Sequence, residues 1–188
     1  MTRIAIETKR MILAAATEEL AEAELFDRAR FARLLGAHVS PGWPPPLNDE
    51  ASMAFLHKML EGRPDVVGWA NWYWLLRTDS GDGVPVAIGN GGFMGPPDEH
   101  GRVEIGYSVL ETYQRRGLAT EGVAALIAWA FEDPRVRGIV AQTRIDGRAS
   151  QRVLEKTAFA SAGAGREPGT LRFELPRPAR ATARGPRK

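Results

Sequence analysis

The strongest constraint on the fold is a stretch between Val103 and Glu121, in which an apolar strand runs into a helix through a basic, glycine-bearing turn. Before the turn, apolar residues alternate with other types, as in a strand that buries one face. After it, apolar residues recur with the three-and-four spacing of a half-buried helix. These helix positions are Ala119, Val123, Leu126, Ile127 and Ala130. A strand that leads into a helix in this way predicts an α/β fold.

The first turn of that helix is suited to binding an anion. The first N–H groups of a helix have no partner within it and carry a partial positive charge of roughly half a unit. If the helix begins near Arg116 or Gly117, a diphosphate can approach the backbone, because Gly117 and Ala119 add little bulk. The candidate phosphate-binding residues are Gln114, Arg115, Arg116, Gly117, Leu118, Ala119 and Thr120.

The segment Gln114-Arg-Arg-Gly-Leu-Ala119 resembles the Gln/Arg-x-x-Gly-x-Gly/Ala signature of the Gcn5-related N-acetyltransferases, the GNAT superfamily. In that family the signature binds the pyrophosphate and pantetheine of acetyl-CoA. Three flanking segments resemble the RimJ/RimL-like branch, which acetylates protein N-termini and, in many relatives, small amines. They are Glu-Ile-Gly-Tyr at 104–107, Ala-Thr-Glu at 119–121 and the segment 150–159. The resemblance covers about Val84 to Phe159.

This resemblance implies an acetyl-CoA-dependent N-acetyltransferase that transfers an acetyl group directly to a primary amine in a ternary complex. The acceptor would be a protein N-terminus or a small-molecule amine, and the resemblance also allows a homodimer. It implies a GNAT fold, with a mixed, mostly antiparallel sheet of about six to seven strands, splayed at the cofactor site and flanked by about four helices. The alternative is a non-catalytic protein that senses or sequesters acyl-CoA.

The resemblance also assigns chemistry to individual residues. Val109 and Leu110 would contact the pantetheine arm through the backbone, and a backbone N–H near them would polarise the thioester carbonyl. Glu104 matches a glutamate that acts as the base in some members, and it is either that base or a structural or amine-positioning carboxylate. Ser150 either contacts the sulfur region of the cofactor or caps a helix start.

Three positions depart from the pattern of the family. Gly147 replaces an asparagine that bonds the pantetheine, which removes a hydrogen bond worth about 1 kcal/mol, and Ala158 replaces the glycine before Phe159. A tyrosine near the last helix often protonates the leaving thiolate in this family. None of the tyrosines of this chain lies there in the sequence; they are Tyr73, Tyr107 and Tyr113. These departures slightly favour the sensor.

Aromatic residues are candidates for the acceptor pocket. In a strand from Trp69 to Leu76, Trp72 and Trp74 point to one face and Tyr73 to the other, so at least one of these sets belongs to the core. Trp43 precedes three prolines that force an extended loop. The loop between the first two helices shapes the acceptor site in the resembled fold, so Trp43 is expected near that site.

Periodicity and breaker residues predict the other elements. The stretch Ile4 to Leu13 is expected to form one strand, and Glu18 to Leu35 one helix with Thr17 as its N-cap. A second helix begins at Asp49 or Glu50. The remaining predictions are strands at 69–76, 84–94, 138–143, from 159 and at 170–175, a helix at 147–156, a hairpin turn at 79–83 and a bulge among the glycines at 89–92.

Composition narrows the class of protein. The chain has 188 residues, no cysteine and three scattered histidines, which excludes disulfides and thiolate metal sites and implies no metal. No stretch approaches the ~20 apolar residues of a membrane span, so no membrane partner is expected. The longest candidate signal-peptide core, at 11–16, is shorter than a secretory signal needs. The cytoplasm is therefore the expected compartment.

The positive charge is concentrated at the C-terminus. Residues 176–188 hold five basic residues and no acidic one, so residues 1–175 carry a net charge of −3, against +2 for the whole chain. We expect an N-acetyltransferase (GNAT) domain over 1–175 and a disordered basic tail over 176–188. A nucleic-acid partner that binds through this tail ranks last among the function classes.

Overall fold

The computed structural model describes residues 4–78 and 83–178, whose strands all belong to one sheet. The strands are β1 (Ala5–Glu7), β2 (Met11–Ala15), β3 (His38–Val39), β4 (Asn71–Leu76), β5 (Val86–Phe93), β6 (Arg102–Val109), β7 (Gly138–Arg144), β8 (Ala160–Ala164) and β9 (Thr170–Pro176). The α-helices are α1 (Glu18–Phe26), α2 (Arg28–Leu35), α3 (Glu50–Leu60), α4 (Leu118–Glu132) and α5 (Arg148–Lys156).

The sheet is mixed and mostly antiparallel, as predicted. Its order is β1-β2-β4-β5-β6-β7-β9-β8, with β3 beside β5. Only two pairs are parallel in the described chain, β6 with β7 and β3 with β5. The parallel β6–β7 pair is joined by α4, which is the crossover helix that such a pair requires.

The prediction of one strand over Ile4 to Leu13 is wrong, because the chain turns back there and forms the hairpin β1–β2. Ile6 lies opposite Leu13 in its antiparallel register. Thr8 closes the turn: its Oγ1 accepts a hydrogen bond from Met11 N–H at 2.9 Å, and its own N–H donates to Met11 O. A threonine hydroxyl that replaces a backbone partner leaves no glycine or proline signal in the sequence.

The single helix predicted over Glu18 to Leu35 is also wrong, because it divides at Asp27 into α1 and α2. Asp27 N–H donates to Ala23 O at the end of α1, and its carboxylate accepts from Arg30 N–H at 2.9 Å to cap α2. An aspartate competes with the helical backbone for such bonds and so favours a cap over an interior position. The predicted N-cap at Thr17 is confirmed, since its hydroxyl accepts from Leu20 N–H.

The remaining elements follow the predictions. Asp49 caps α3. A β-bulge is present in β5, but it falls at Ile88, one residue before the glycines at 89–92 where it was predicted; the register with β4 shifts there between Trp74 and Leu75. The two split elements and the two-residue β3 raise the totals in the described chain to nine strands and five α-helices. Of the predicted hairpin turn at 79–83, residues 79–82 lie outside the described residues.

The two faces of the sheet carry separate hydrophobic clusters. The face under α4 and α5 includes fully buried Trp72 and Trp74, and the face under α1, α2 and α3 includes fully buried Tyr73 and Phe31. Both sets of β4 aromatics are therefore core residues, which confirms the prediction for at least one of them. No described helix has the length and apolarity needed to cross a membrane.

The sheet opens between its two central parallel strands. β6 pairs with β7 only from Arg102 to Ile105, opposite Gly138 to Ala141. Beyond Ile105, β6 stays with β5, whereas β7 continues with β9 up to Arg144. A wedge therefore opens beside residues 106–109, which confirms the predicted splay of the sheet.

The folded part extends past the predicted boundary at residue 175. Pro176 belongs to β9, and the Arg177 side chain donates to the carbonyls of Phe131, Val136 and Asp133, at the end of α4 and just beyond it. Those carbonyls lack partners within the helix, so Arg177 caps them. The rest of the predicted disordered tail, residues 179–188, lies outside the described residues.

Candidate active site

The turn before α4 takes the form of an anion cradle. Gly117 is the N-cap and has a left-handed backbone with φ of 76°, and Arg115 also has a positive φ, 58°. Among the described residues, none accepts a hydrogen bond from the N–H groups of residues 115–120. Successive free N–H groups in such a turn form a concave site for phosphate oxygens.

Gly117 suits this turn for a conformational reason. A residue with a Cβ is strained by about 1–2 kcal/mol in the left-handed region, whereas glycine is not. Space is not limiting, because a Cβ placed at Gly117 would have only the Nη2 atom of Arg10 within 4 Å, at 3.5 Å. The approach to the N–H groups is thus open apart from one guanidinium.

Arg10 reaches the cradle from the β1–β2 hairpin, a contact that the sequence reading did not foresee. Its Nη1 donates to Arg116 O at 2.9 Å, and its Nε donates to Glu121 in the first turn of α4 at 2.7 Å. Thr8 donates to the same carboxylate at 2.7 Å. Burial raises the pKa of Glu121, but the hydrogen bonds from Thr8 and Arg10 outweigh it and leave the pKa below its usual value. The carboxylate stays ionised and fixes the hairpin against the cradle.

The free edge of β6 exposes backbone groups to the wedge. Leu110 N–H donates to Ile88 O and Met94 N–H donates to Glu104 O, so these groups bond within the β5–β6 pair. Because polar groups alternate along a strand, those of Tyr107 and Val109 point away from β5 into the wedge. The Leu110 carbonyl also accepts from Tyr113 N–H, so the free donors here are the N–H groups of Tyr107 and Val109.

Gln114 closes the far end of this edge. Its side-chain Nε2 donates to Val109 O at 2.9 Å, and its backbone N–H donates to Glu111 O. The structure thus places Gln114 at the junction of β6 and the cradle, with its amide turned toward the strand. The predicted roles of Val109, Leu110 and Gln114 toward the cofactor stay predictions.

Ser150 lies across the wedge from β6 and is held by Tyr107. The Tyr107 hydroxyl is 2.9 Å from Ser150 Oγ and donates to Ser150 O at 3.1 Å. Burial raises the pKa of Tyr107 to about 12, although the bond with Ser150 opposes that rise. A tyrosine does therefore reach the start of the last helix, but it comes from the central strand. The sequence reading missed it because the wedge brings together residues 43 positions apart.

Glu104 lies on the opposite face of β6 in a closed network. Its Oε1 accepts from Gln142 Nε2 at 2.9 Å, and its Oε2 accepts from Arg166 Nη2 at 2.8 Å. Gln142 Oε1 in turn accepts from Arg166 N–H at 2.6 Å. Arg166 lies between β8 and β9, so the network joins β6, β7 and that hairpin. Nothing in the sequence near Glu104 identifies either partner.

The loop between α2 and α3 covers the same face of β6 farther along the strand. Ser108 Oγ donates to Pro46 O at 2.5 Å, and the buried Asn90 donates to Asn48 Oδ1 at 2.8 Å. Asn90 and Ser108 are register partners in β5 and β6. Gly106 lies between Ser108 and Glu104 and leaves this strip of the face open except for the exposed Met94 side chain, whose Cε would lie 3.3 Å from a Cβ at Gly106.

Trp43 anchors that loop instead of lining its surface. It is 7% exposed, and its Nε1 donates to Glu24 Oε1 at 2.9 Å. Tyr73 donates to the other oxygen of Glu24 at 2.7 Å. Burial raises the pKa of Glu24, while the bonds from Tyr73 and Trp43 act in the opposite direction. The buried carboxylate of Glu24 thus joins α1, the loop and β4, a role that its sequence context in α1 does not indicate.

The comparison with protein families decides the identity of the site. The model of the acetyltransferase (GNAT) domain matches residues 10–160, which include the cradle, the wedge, Glu104 and Ser150. The chain belongs to the GNAT acetyltransferase family. It is 28% identical over 156 residues to the uncharacterized N-acetyltransferase YjdG of Bacillus subtilis strain 168, a match that covers 83% of this chain and 89% of YjdG.

Solved structures show the same fold at low sequence identity. An acetyltransferase of the GNAT family from Bacillus anthracis superimposes with a TM-score of 0.60 at 17% identity, covering 92% of this chain and 98% of that one. RimL, a ribosomal L7/L12 α-N-protein acetyltransferase in complex with coenzyme A, gives a TM-score of 0.62 at 18% identity, with coverages of 92% and 98%. The predicted GNAT fold is confirmed, and the protein is an N-acetyltransferase that uses acetyl-CoA.

The GNAT asparagine that Gly147 replaces would not fit the turn before α5. A Cβ at this position would lie 2.8 Å from Thr143 Oγ1 and 3.0 Å from Arg144 O, both closer than ordinary contacts. Buried Gln151 holds the turn tight, since its Nε2 donates to the carbonyls of Arg144 and Ile145. Gly147 is therefore required by the local packing.

Ala158 keeps the backbone of the glycine that other GNAT proteins carry there. Its φ is 67°, in the left-handed region, and it ends the turn after α5, where Phe159 N–H donates to Leu154 O. This is the position at which helices favour glycine. Ala158 thus adds strain without changing the course of the chain.

The described residues offer no constellation for a metal ion. Within 4–78 and 83–178, no three histidine, aspartate or glutamate side chains are placed to bind one. The histidines are separated in the fold, with His38 in β3, His57 in α3 and His100 in the turn before β6.

Proposed function

We propose that this protein transfers the acetyl group of acetyl-CoA directly to a primary amine, with both substrates bound at once on opposite sides of β6. The observation that carries this proposal is the open edge at residues 106–109, which separates the wedge from the face that holds Glu104. The donor enters the wedge and the acceptor lies on the other face. A direct transfer needs this arrangement, since the amine must reach the thioester carbon.

The donor is held mainly by backbone groups. The free N–H groups of residues 115–120 bind the pyrophosphate, and Arg10 contributes positive charge at their edge. The pantetheine arm lies along the free N–H groups of Val109 and Tyr107. The Tyr107 N–H lies two residues beyond the last β6–β7 pair, so it is the donor best placed to stabilise negative charge on the thioester oxygen.

Proton transfer is assigned to Glu104 on one side and Ser150 on the other. An alkyl amine arrives largely as an ammonium with a pKa of about 10, so it must lose a proton before it reacts. Glu104 lies three residues before Tyr107, about 10 Å along the strand, which leaves room for the amine or a bridging water. As the C–N bond forms and the C–S bond breaks, Ser150, oriented by Tyr107, donates a hydrogen bond to the departing thiolate, and the second proton lost by the nitrogen reaches that sulfur through water.

The branch of the family is part of the proposal. The RimJ/RimL-like flanks and the likeness to RimL, which acts on a protein N-terminus, support an acceptor that is either a peptide N-terminus or a small amine. The open strip at Gly106 between Glu104 and the α2–α3 loop suits either, because only the amine and its neighbouring atoms have to enter it.

The rival is a protein that binds acyl-CoA without turnover. Both oxygens of Glu104 already accept hydrogen bonds from Gln142 and Arg166, and this observation favours the rival. Glu104→Gln separates the two proposals. An enzyme that uses Glu104 as its base loses about 100-fold or more in kcat while its affinity for coenzyme A is retained. A sensor has no turnover to lose and keeps its affinity.

The direct test is acceptor-dependent release of free thiol from acetyl-CoA. The purified protein is incubated with acetyl-CoA and a panel of small amines, amino acids and peptides with free N-termini, and the thiol is measured with a chromogenic reagent. The proposal expects release above the acceptor-free rate with at least one class. Calorimetric binding of coenzyme A without any such release across the panel would contradict catalysis and support the sensor.

A further inference from the structure

The network at Glu104 has one movable member. Gln142 binds Glu104 and also accepts from the backbone N–H of Arg166, so the chain at Arg166 is held in place. The Arg166 side chain is 73% exposed, whereas that of Glu104 is 25% exposed. The guanidinium can therefore leave the carboxylate without any change in the loop that carries it.

The ion pair is also weak enough to open. Exposed ion pairs contribute little to stability, because solvent screens them and the side chains lose rotational freedom. An incoming ammonium that displaced Arg166 from Glu104 would leave a guanidinium without its anion next to a second positive charge. A simple amine therefore gains little from this exchange.

The surroundings of the pair can admit a small group with its own charge once one exposed side chain moves. Gly106 adds no side chain to the strip, and Met94, whose Cε would lie 3.3 Å from a Cβ at Gly106, is a flexible side chain that is 61% exposed. Pro46 and Ser108 close the strip at the other end. A guanidinium presents two parallel N–H groups in the geometry that suits a carboxylate.

We propose that the acceptor is a primary amine that carries a carboxylate a few atoms away, with its ammonium on Glu104 and its carboxylate on Arg166. The ammonium of such an acceptor takes the place of the Arg166 guanidinium on Glu104, and its carboxylate takes the place of Glu104 on Arg166. Neither residue is therefore left without a partner of opposite charge. This inference rests on the proposed function, because it specifies the acceptor of the same acetyl transfer. Free amino acids and peptides with an acidic N-terminal residue share this chemistry.

The test is a change in selectivity. Thiol release is measured as kcat/KM at saturating acetyl-CoA for serine against serinamide, and for Asp-Ala amide against Asn-Ala amide, in the wild type and in Arg166→Gln. The amide members differ in amine basicity, so each ratio is compared between proteins. The ratio is the kcat/KM of the carboxylate-bearing acceptor divided by that of its amide counterpart. For the kind of acceptor that Arg166 binds, either the free amino acid or the acidic peptide, this ratio should be about tenfold or more higher in the wild type than in Arg166→Gln. Arg166→Glu should move the ratio farther in the same direction.

Matched measurements keep the outcome clear. Arg135 is exposed and forms a comparable ion pair with Asp133, at 2.6 Å, at the other end of β6. Arg135→Gln removes that pair and should leave the kcat/KM ratio unchanged. Equal ratios in the wild type and Arg166→Gln would overturn the inference, and so would a uniform gain of activity toward all amines. The absence of acceptor-dependent release with every acceptor tested, in protein that binds acetyl-CoA, would overturn the proposed function and this inference with it.

Discussion

The donor side of β6 takes most of its groups from one continuous stretch, Tyr107 to Thr120, with Arg10 and Ser150 added from elsewhere, whereas the acceptor side is assembled entirely from segments far apart in the chain. The donor groups are mostly backbone amides exposed by a strand end and a helix start. On the acceptor side, Glu104 meets Arg166, and Trp43 meets Glu24, across loops and strands. Backbone chemistry is set locally, while a pocket of side chains depends on how distant elements pack.

The largest effect that tests the difference between the two sides is expected when the cradle alone is blocked. Gly117→Glu places a carboxylate and a strained φ at the anion site, and we expect the affinity for coenzyme A to fall about 100-fold by calorimetry. Gly117→Ala meets only the strain and should lose about fivefold to tenfold. Affinity that survives Gly117→Glu would mean that the phosphates bind elsewhere.

The matching change on the acceptor side is Trp43→Phe, which removes one of the two donors to Glu24. We expect the unfolding free energy to fall by about 1–3 kcal/mol, with coenzyme A affinity unchanged and the acceptor KM raised. Burial raises the pKa of Glu24 in the folded protein above its value in the unfolded chain. The stability that Glu24 contributes is therefore present at low pH and is lost as the pH rises through the raised pKa. The loss of unfolding free energy in Trp43→Phe, relative to the wild type, should therefore be larger at pH 8 than at pH 4.

Denaturation of Trp43→Phe and the wild type in urea at both pH values checks this expectation. A variant with an equal deficit at pH 4 and pH 8 would show that the Trp43–Glu24 bond is not what holds the loop. A loss of coenzyme A affinity would contradict the separation of the two sides.

Tyr107 belongs to the donor side, and the ionisation of its hydroxyl can be followed at high pH. Its pKa is about 12 in the folded protein, against about 10 in an unfolded chain. Its contribution to stability is complete below pH 10 and is lost as the pH rises to 12, at up to about 1.4 kcal/mol per pH unit. The stability of Tyr107→Phe should fall less steeply over this range in denaturant titrations. Equal slopes would place the hydroxyl in contact with solvent.

The smallest effect is expected away from both sides, at Ala158. Ala158→Gly relieves a residue at φ 67° and should raise the unfolding free energy by about 0.5–1 kcal/mol, less the entropy that glycine adds to the unfolded chain. Thermal denaturation measures the change. Its matched control is Ala160→Gly in β8, which should be destabilising. A lower melting temperature for Ala158→Gly would show that the turn does not strain the alanine.

The elements that could be predicted from the sequence are those that depend on interactions between residues close together in the chain. The strand, turn and helix from β6 to α4 were predicted because each depends on its own residues, and the caps at Thr17 and Asp49 likewise. The breaks at Thr8 and Asp27 were missed, because one polar side chain there replaces a backbone bond without any change in the apolar pattern. Those errors changed the number of elements but not their order.

In the site, Glu104 and Ser150 were identified from their motif positions, but their partners were not. Tyr107 was assigned only to the strand, and Arg166 was given no role, because nothing near them indicates what lies across the wedge or the hairpin. Glu24 was unremarked for the same reason.

By itself, the sequence determined the cradle, since a glycine with a left-handed φ and a helix start are properties of a few adjacent residues. It also determined the family, because the signature is continuous. Only the tertiary structure decided which charges and hydroxyls face each other: Arg166 on Glu104, Tyr107 on Ser150 and Arg10 on the cradle. These pairs form because loops, helices and strands that are distant in the chain pack beside one another, and no local pattern encodes that proximity.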